Sequence, residues 1–246
     1  MKNVKFKNRI KAVSLFANVG IAETYFDDLG IDVVVANELL EERGRFYNHL
    51  YPETNMIIGD ITISEVFDRV VAEAKANDVD LLIATPPCQG MSCAGRKDPK
   101  DPRNFLIYYA VEAVKQIRPR FVMFENIPMQ QHTQILYNGD YLFIPQYVEN
   151  ELGDYYNFNE QHIVNAMDYG VPQSRQRYIY LLSAKTEDVK WEFPEKQQDI
   201  ITMEEAIGSL PSLDPCLREE TEKWRFPDFE EKKRKGNLHF SVSSLK

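Results

Sequence analysis

Two short stretches hold residue types that could make and break bonds. In "IATPPCQGMSCAG", residues 83–95, an apolar run ends in Thr85-Pro86-Pro87 and presents Cys88 among small and polar residues. Paired prolines lack backbone donors and fix φ, so they build a rigid corner and do not continue a ladder. A thiol on that corner is either a small buried hydrophobe, as lone cysteines commonly are, or a nucleophile. Free cysteine titrates near about 8.5, so only a few per cent is thiolate at neutral pH unless cations or a helix N-terminus lie close. In "FENIP", residues 124–128, Glu125 ends another apolar run. A partly desolvated carboxyl group there could give or share a proton with a ring nitrogen; it equally fits a strand-end cap. Arg175 and Arg177, in "QSRQRYIYL", stand two apart at the head of a further run and so point the same way. Paired guanidinium groups suit phosphate or base-carbonyl contacts, or simply a solvated sheet edge.

The elements that position these residues follow from the apolar pattern. Strands are predicted at 11–17, 32–38, 55–61, 80–86 and 120–127, with helices near 20–29, 40–50, 64–77 and 103–118. Ser64 is expected to cap the third helix and Gly30 to stop the first. The alternation predicts an α/β fold, a doubly wound and mostly parallel sheet with helices on both faces. Several strands are nearly all apolar, as double coverage requires. "HTQILYNGDYLF", residues 132–143, reads as a loop or irregular helix; 161–170 and 177–184 read as two strands joined through a Gly-Val-Pro turn. Residues 1–200 form the expected cofactor-binding and catalytic domain, and 201–246 a polar extension with few core positions.

In a doubly wound sheet, ligands bind beyond the carboxyl ends of the strands. Phe16, Ala17, Asn18 and Gly20 follow the first strand in a turn that lets a ligand approach backbone. Glu38 ends the second strand, where an acid typically accepts ribose hydroxyls. Asp60 ends the third and could accept from an adenine amino group. Either acid alone equally fits a solvated strand end. As an ordered set without a phosphate-binding loop, they favour S-adenosylmethionine over a nucleoside triphosphate. Leu39, Ile61 and Pro86 complete the expected cofactor contacts.

The chain has 246 residues, three cysteines and a formal net charge of −9. That length builds a core without disulfides, and the odd, irregularly spaced cysteines favour a reducing compartment. No metal is expected, since Cys88 and Cys93 lack close Cys or His partners. With no apolar run near the roughly 20 residues of a membrane helix and no secretory leader pattern, a cytoplasmic protein is expected. The acidic balance lends nucleic-acid binding no support by itself, because groove binding depends on local fields.

The set "LFA…G", the acid after strand two, "GDI", "PPCQ-x-x-S-x-x-G", "ENI" and "Q-x-R-x-R", in this order over roughly residues 10–185, resembles the DNA cytosine C5-methyltransferases of bacterial restriction–modification systems. The resemblance implies that Cys88 attacks C6 of a flipped cytosine while Glu125 engages N3 and the exocyclic amine, and that C5 takes a methyl group from S-adenosylmethionine. It implies that Arg177 holds the cytosine and Arg175 supports the nucleophile loop. Phe16 is expected near the adenine, and Gln89, Ser92 and Arg103 in a mobile loop, about 88–105, that closes over double-stranded DNA. Ser14 stands where the family usually has Asp, and "NVGI" where it has Gly-x-Gly-Gly. After 203–214 the family continues into a target-recognition domain, so the chain is expected to be either a fragment or the catalytic part of a split enzyme, in which a second protein subunit carrying that domain is the partner. The other readings are a cytosine C5-methyltransferase acting on RNA, and an inactive S-adenosylmethionine-binding regulator.

Overall fold

The computed structural model describes residues 9–87, 102–160 and 162–209. The chain divides into two units, 1–198 and 199–246. The first unit contains strands β1 (Ile10–Leu15), β2 (Ile31–Glu38), β3 (Asn55–Ile58), β4 (Leu81–Ala84), β5 (Phe121–Asn126), β6 (Gln134–Tyr137), β7 (Asp140–Phe143), β8 (Tyr156–Phe158), β9 (Ile163–Asn165) and β10 (Gln176–Ala184). Its helices are α1 (Glu41–Leu50), α2 (Ser64–Ala76), α3 (Leu106–Ile117) and α4 (Ile144–Leu152). In the second unit, Thr202 and Glu205 form a capping box on α5 (Met203–Ile207).

The main sheet runs β3-β2-β1-β4-β5-β10-β8, with β9 also paired to β10. Its first five strands are parallel; β10 runs antiparallel to β5, β8 and β9. One face is packed by α2, α3 and α4 over Val13, Leu82, Val122, Phe124 and Leu182. The other face is covered unevenly. Tyr47 of α1 packs over Ala36, while Phe26 and Trp191, from irregular segments, cover Ala12, Leu81 and Ile83. No helix among the described residues is long and apolar enough to cross a membrane.

The expected helix at 20–29 is instead a series of turns ending in a 3-10 turn, Asp27–Leu29. The Thr24 hydroxyl bonds back to the Ile21 carbonyl, and the Glu23 side chain is committed to Ser14. Local side-chain bonds of this kind compete with a helix ladder. Gly30 does stop the segment, with φ 73. Ser64 is the first helical residue of α2; Ile63 occupies the cap position without a side-chain bond. The expected loop at 132–143 contains the β6–β7 hairpin. Its two-residue turn, Asn138-Gly139, has φ of 51 and 93, matching the preference of tight hairpins for positive φ at both positions. Of the strand expected at 161–170, β9 is extended and Ala166–Tyr169 is a 3-10 turn closed by Gly170 at φ 82.

Leu82 lies at the centre of the sheet with no exposed surface. Leu82→Ala removes three buried carbons and leaves a cavity, so unfolding in urea should lose about 2–5 kcal/mol. A loss under about 0.5 kcal/mol, within the range of surface substitutions, would contradict this core.

Candidate active site

The carboxyl ends of β1, β2 and β3 enclose a cavity of about 460 Å³ lined by Phe16, Asn18, Glu38, Leu39, Asp60 and Ile61, all expected from sequence. Glu38 is buried, and the reason is visible in its bonds. Its Oε2 accepts from the Asn18 N–H and its Oε1 from the Leu40 N–H, both at 3.0 Å. The carboxylate thus fixes the turn after β1 to the turn after β2 and still has lone pairs for hydroxyl donors. Asp60 Oδ1 accepts from the Thr62 N–H at 2.9 Å, which sets that side chain in its own turn. Asn37, buried beside Glu38, donates to the carbonyls of Ile57 and Gly59 and ties the end of β3 to β2. Two anchored acceptors and the Phe16 ring are a donor-seeking, partly aromatic wall. That set fits an adenosine, whose ribose hydroxyls and amino group donate and whose base stacks.

Three expected contacts stand elsewhere. Ala17 is buried, with its N–H donated to the Asn37 carbonyl. Gly20 supports the turn and does not line the cavity. Its φ is 80, its carbonyl accepts from the Tyr51 hydroxyl at 2.7 Å, and a Cβ there would collide with the Tyr51 ring. Pro86 is buried, and its neighbours Thr85 and Pro87 line the cavity. Arg103, expected in a loop over DNA, is part of this same lining. Sequence reading missed Leu40, Arg43 and Leu106, which also line it. Leu106 begins α3, and a helix start facing the strand ends was the available signal for it.

Glu125 is the penultimate residue of β5, and its Oε1 meets the Arg177 Nε at 2.7 Å. The pairing follows from register, because antiparallel β10 sets Ile179 opposite Glu125 and brings its first residues to the carboxyl end of β5. Burial pushes the Glu125 carboxyl above its usual range, against the opposing pull of Arg177 and then Arg175. Arg175 is exposed, and its backbone N–H is held by the Asn165 side chain at 2.8 Å. Next to Glu125, Asn126 is buried; its Nδ2 donates to the Pro86 carbonyl at 3.1 Å, and its Oδ1 accepts from the Ile127 N–H at 2.8 Å. One amide therefore locks the Pro-Pro corner after β4 to the turn after β5. Cys88, Gln89 and Ser92 lie outside the described residues.

This is a doubly wound α/β protein with an acceptor-lined cavity at the strand ends and, two strands along the same sheet edge, a half-buried acid–arginine pair. Comparison with known proteins makes that class specific. Residues 10–242 match the C-5 cytosine-specific DNA methylase family. The chain is 39% identical over 213 residues to the type II methyltransferase M1.HgaI of Avibacterium volantium, covering 85% of this chain and 58% of that protein. It is 28% identical over 242 residues to the type II methyltransferase M.AquIA of a Picosynechococcus strain, covering 83% of this chain and 90% of that protein. A DNA modification methyltransferase from an E. coli prophage superposes with a TM-score of 0.64 at 26% identity, over 82% of this chain and 55% of the other. The chain belongs to the C-5 cytosine-specific DNA methylase family.

Asn126→Ala should lower stability by about 1–3 kcal/mol, since it leaves the Pro86 carbonyl without its buried donor. Equal urea midpoints for variant and parent would refute the lock. Glu125 holds its proton to higher pH in the fold than its ordinary value of 4.5. Its contribution to stability is therefore full below that value and lost as pH rises through the folded one. Arg177→Ala removes the cation that opposes burial, so carbon-13 NMR titration should find Glu125 raised further. A fall, or no movement, would disprove the pairing.

Proposed function

We propose that the chain transfers a methyl group to C5 of a cytosine flipped out of duplex DNA. The observation that carries this reading is the Glu125–Arg177 pair, held by Asn126 against the strand end that leads into Cys88. A stacked base shields its ring carbons, and extrusion costs a few kcal/mol. The Cys88 thiolate adds to C6, forming an S–C bond as the C5=C6 electrons move toward C5 and N3. Glu125, whose carboxyl group burial pushes above its usual range, shares a proton with N3 and quenches the charge that builds on the ring. Arg177 holds the carboxyl group and is positioned to contact the base carbonyl. S-adenosylmethionine, when bound, supplies the methyl group that C5 takes up. N3 returns its proton to Glu125, and loss of the C5 proton to water then restores the C5=C6 bond and expels Cys88 as the thiolate.

Phe16, Glu38 and Asp60 are the residues that hold the adenosine part of that cofactor: ring to base, and carboxylates to the ribose hydroxyls and the adenine amine. The residues that read the target sequence come from a second protein chain. The net charge of −9 supports this, because a basic partner then makes most phosphate contacts.

The test is transfer of labelled methyl from S-adenosylmethionine to duplex DNA and to RNA, with and without the protein encoded by the adjoining gene. Transfer to DNA that needs the second protein is expected, and Glu125→Gln should slow it about 10²–10⁴-fold. Cys88→Ala should abolish the covalent adduct with 5-fluorocytosine DNA. Cofactor binding without transfer in any arm would overturn the reaction, and transfer to RNA alone would replace the substrate.

A further inference from the structure

One buried carboxyl group lies outside every step above. Glu23 is 3% exposed; its Oε1 accepts a 2.5 Å hydrogen bond from the Ser14 hydroxyl, and its Oε2 is buried without a partner. Burial raises its pKa, against the opposing pull of the Ser14 hydrogen bond. An apolar side chain of similar size would avoid that desolvation. The position of the bond suggests what the acid does there.

Ser14 lies near the end of β1, and Glu23 lies nine residues on, past the turn that lines the cavity. Within that arc Phe16 and Asn18 both have positive φ, 59 and 52. For residues with a Cβ this conformation is disfavoured and persists only where surrounding contacts over-determine it. The first half of the arc is held directly. Thr85 donates to the Phe16 carbonyl at 3.2 Å, Asn18 donates to Glu38, and Tyr51 donates to the Gly20 carbonyl. Past Gly20 the chain turns outward, with Ile21 73% and Tyr25 66% exposed, and the Thr24 hydroxyl bonds only within the turn. There the Glu23–Ser14 bond and the packing of Phe26 return the chain to the sheet. A bond that closes the two ends of a short arc removes conformations in which its middle could relax.

We propose that Glu23 is a positioning residue for cofactor binding, acting through Ser14 to hold Phe16 and Asn18 in the strained conformation that lines the cavity. This rests on the reading of that cavity as the S-adenosylmethionine site. A neutral isostere satisfies the proposal, because the requirement is a buried acceptor for Ser14 and not a charge.

The experiment compares the full chain with Glu23→Gln, Glu23→Ala and Ser14→Ala. Amide hydrogen exchange is followed without cofactor, and S-adenosylmethionine affinity by calorimetry. In Glu23→Ala and Ser14→Ala, exchange at Ala17, Asn18 and Gly20 should quicken about tenfold or more, while Val122 and Phe124 stay within about twofold. Affinity should fall about tenfold in both, and Glu23→Gln should stay within about threefold of the parent. Unchanged exchange at 17–20, or equal acceleration of the β5 amides, would overturn the proposal by making Glu23 idle or merely stabilising. If Glu23→Ala does not fold, Ser14→Ala decides, since it removes one hydroxyl. If the parent binds no S-adenosylmethionine, the functional reading falls, and the exchange pattern alone still decides the role of Glu23.

Discussion

Where parallel strands end, backbone groups lose the ladder partners that the sheet interior supplies, and each must find another or forfeit its hydrogen bond in a buried place. This protein meets that demand with side chains from the strand ends themselves. Asn37 takes up the carbonyls of Ile57 and Gly59, Glu38 the N–H groups of Asn18 and Leu40, and Asn126 the Pro86 carbonyl and the Ile127 N–H. The groups that finish the sheet also shape the site. Glu38 is available to a ligand at a fixed place because its carboxylate is already part of the backbone's hydrogen-bond accounting. The Pro-Pro corner is rigid on its own, but Asn126 sets its position relative to Glu125.

The parallel half of the fold was legible because strands buried on both faces read as apolar runs. "VVVA" and "LLIA" leave little choice, and β2 and β4 lie within two residues of their expected ends. The segment at 20–29 misled because its residues have acceptable helix propensity. A tertiary bond from Glu23 to Ser14 and the burial of Phe26 outweighed it. The β6–β7 hairpin was readable in principle. Asn138-Gly139 is a strong turn signal, but the flanking "QILY" and "DYLF" bury only one residue below a tenth of its surface, Ile135, so the alternation was faint.

At the site, the acids at strand ends were predictable from topology alone, since the sheet rule says where a ligand binds before any side chain is named. Their backbone partners were not, because a hydrogen bond to an N–H leaves no trace in residue type. Gly20 illustrates the same limit from the other side. Its type signals a conformational need, yet the need comes from the Tyr51 ring and not from a ligand. Leu106 enters the lining from α3, distant in sequence from β1, β2 and β3, which only the folded chain brings together, whereas Arg43 enters from the first turn of α1, five residues past Glu38.

The antiparallel course of β10 sets a path length as well as a pairing. Its first residues lie beside Glu125, and its penultimate residue, Ser183, lies opposite Phe121 at the start of β5. Nine residues of extended chain span about 30 Å, so the polypeptide leaves this sheet at the end away from the cavity. The chain then retraces that distance within the same unit, since Lys196 pairs with Asp168 at 2.8 Å and the Gln197 N–H donates to the Asp168 carbonyl, in the turn that follows β9 beside the head of β10. Segment 185–197 is thus a strap along the sheet, with Trp191 packed over Ala12, Leu81 and Ile83 on its way back to the end that carries Glu125 and Arg177.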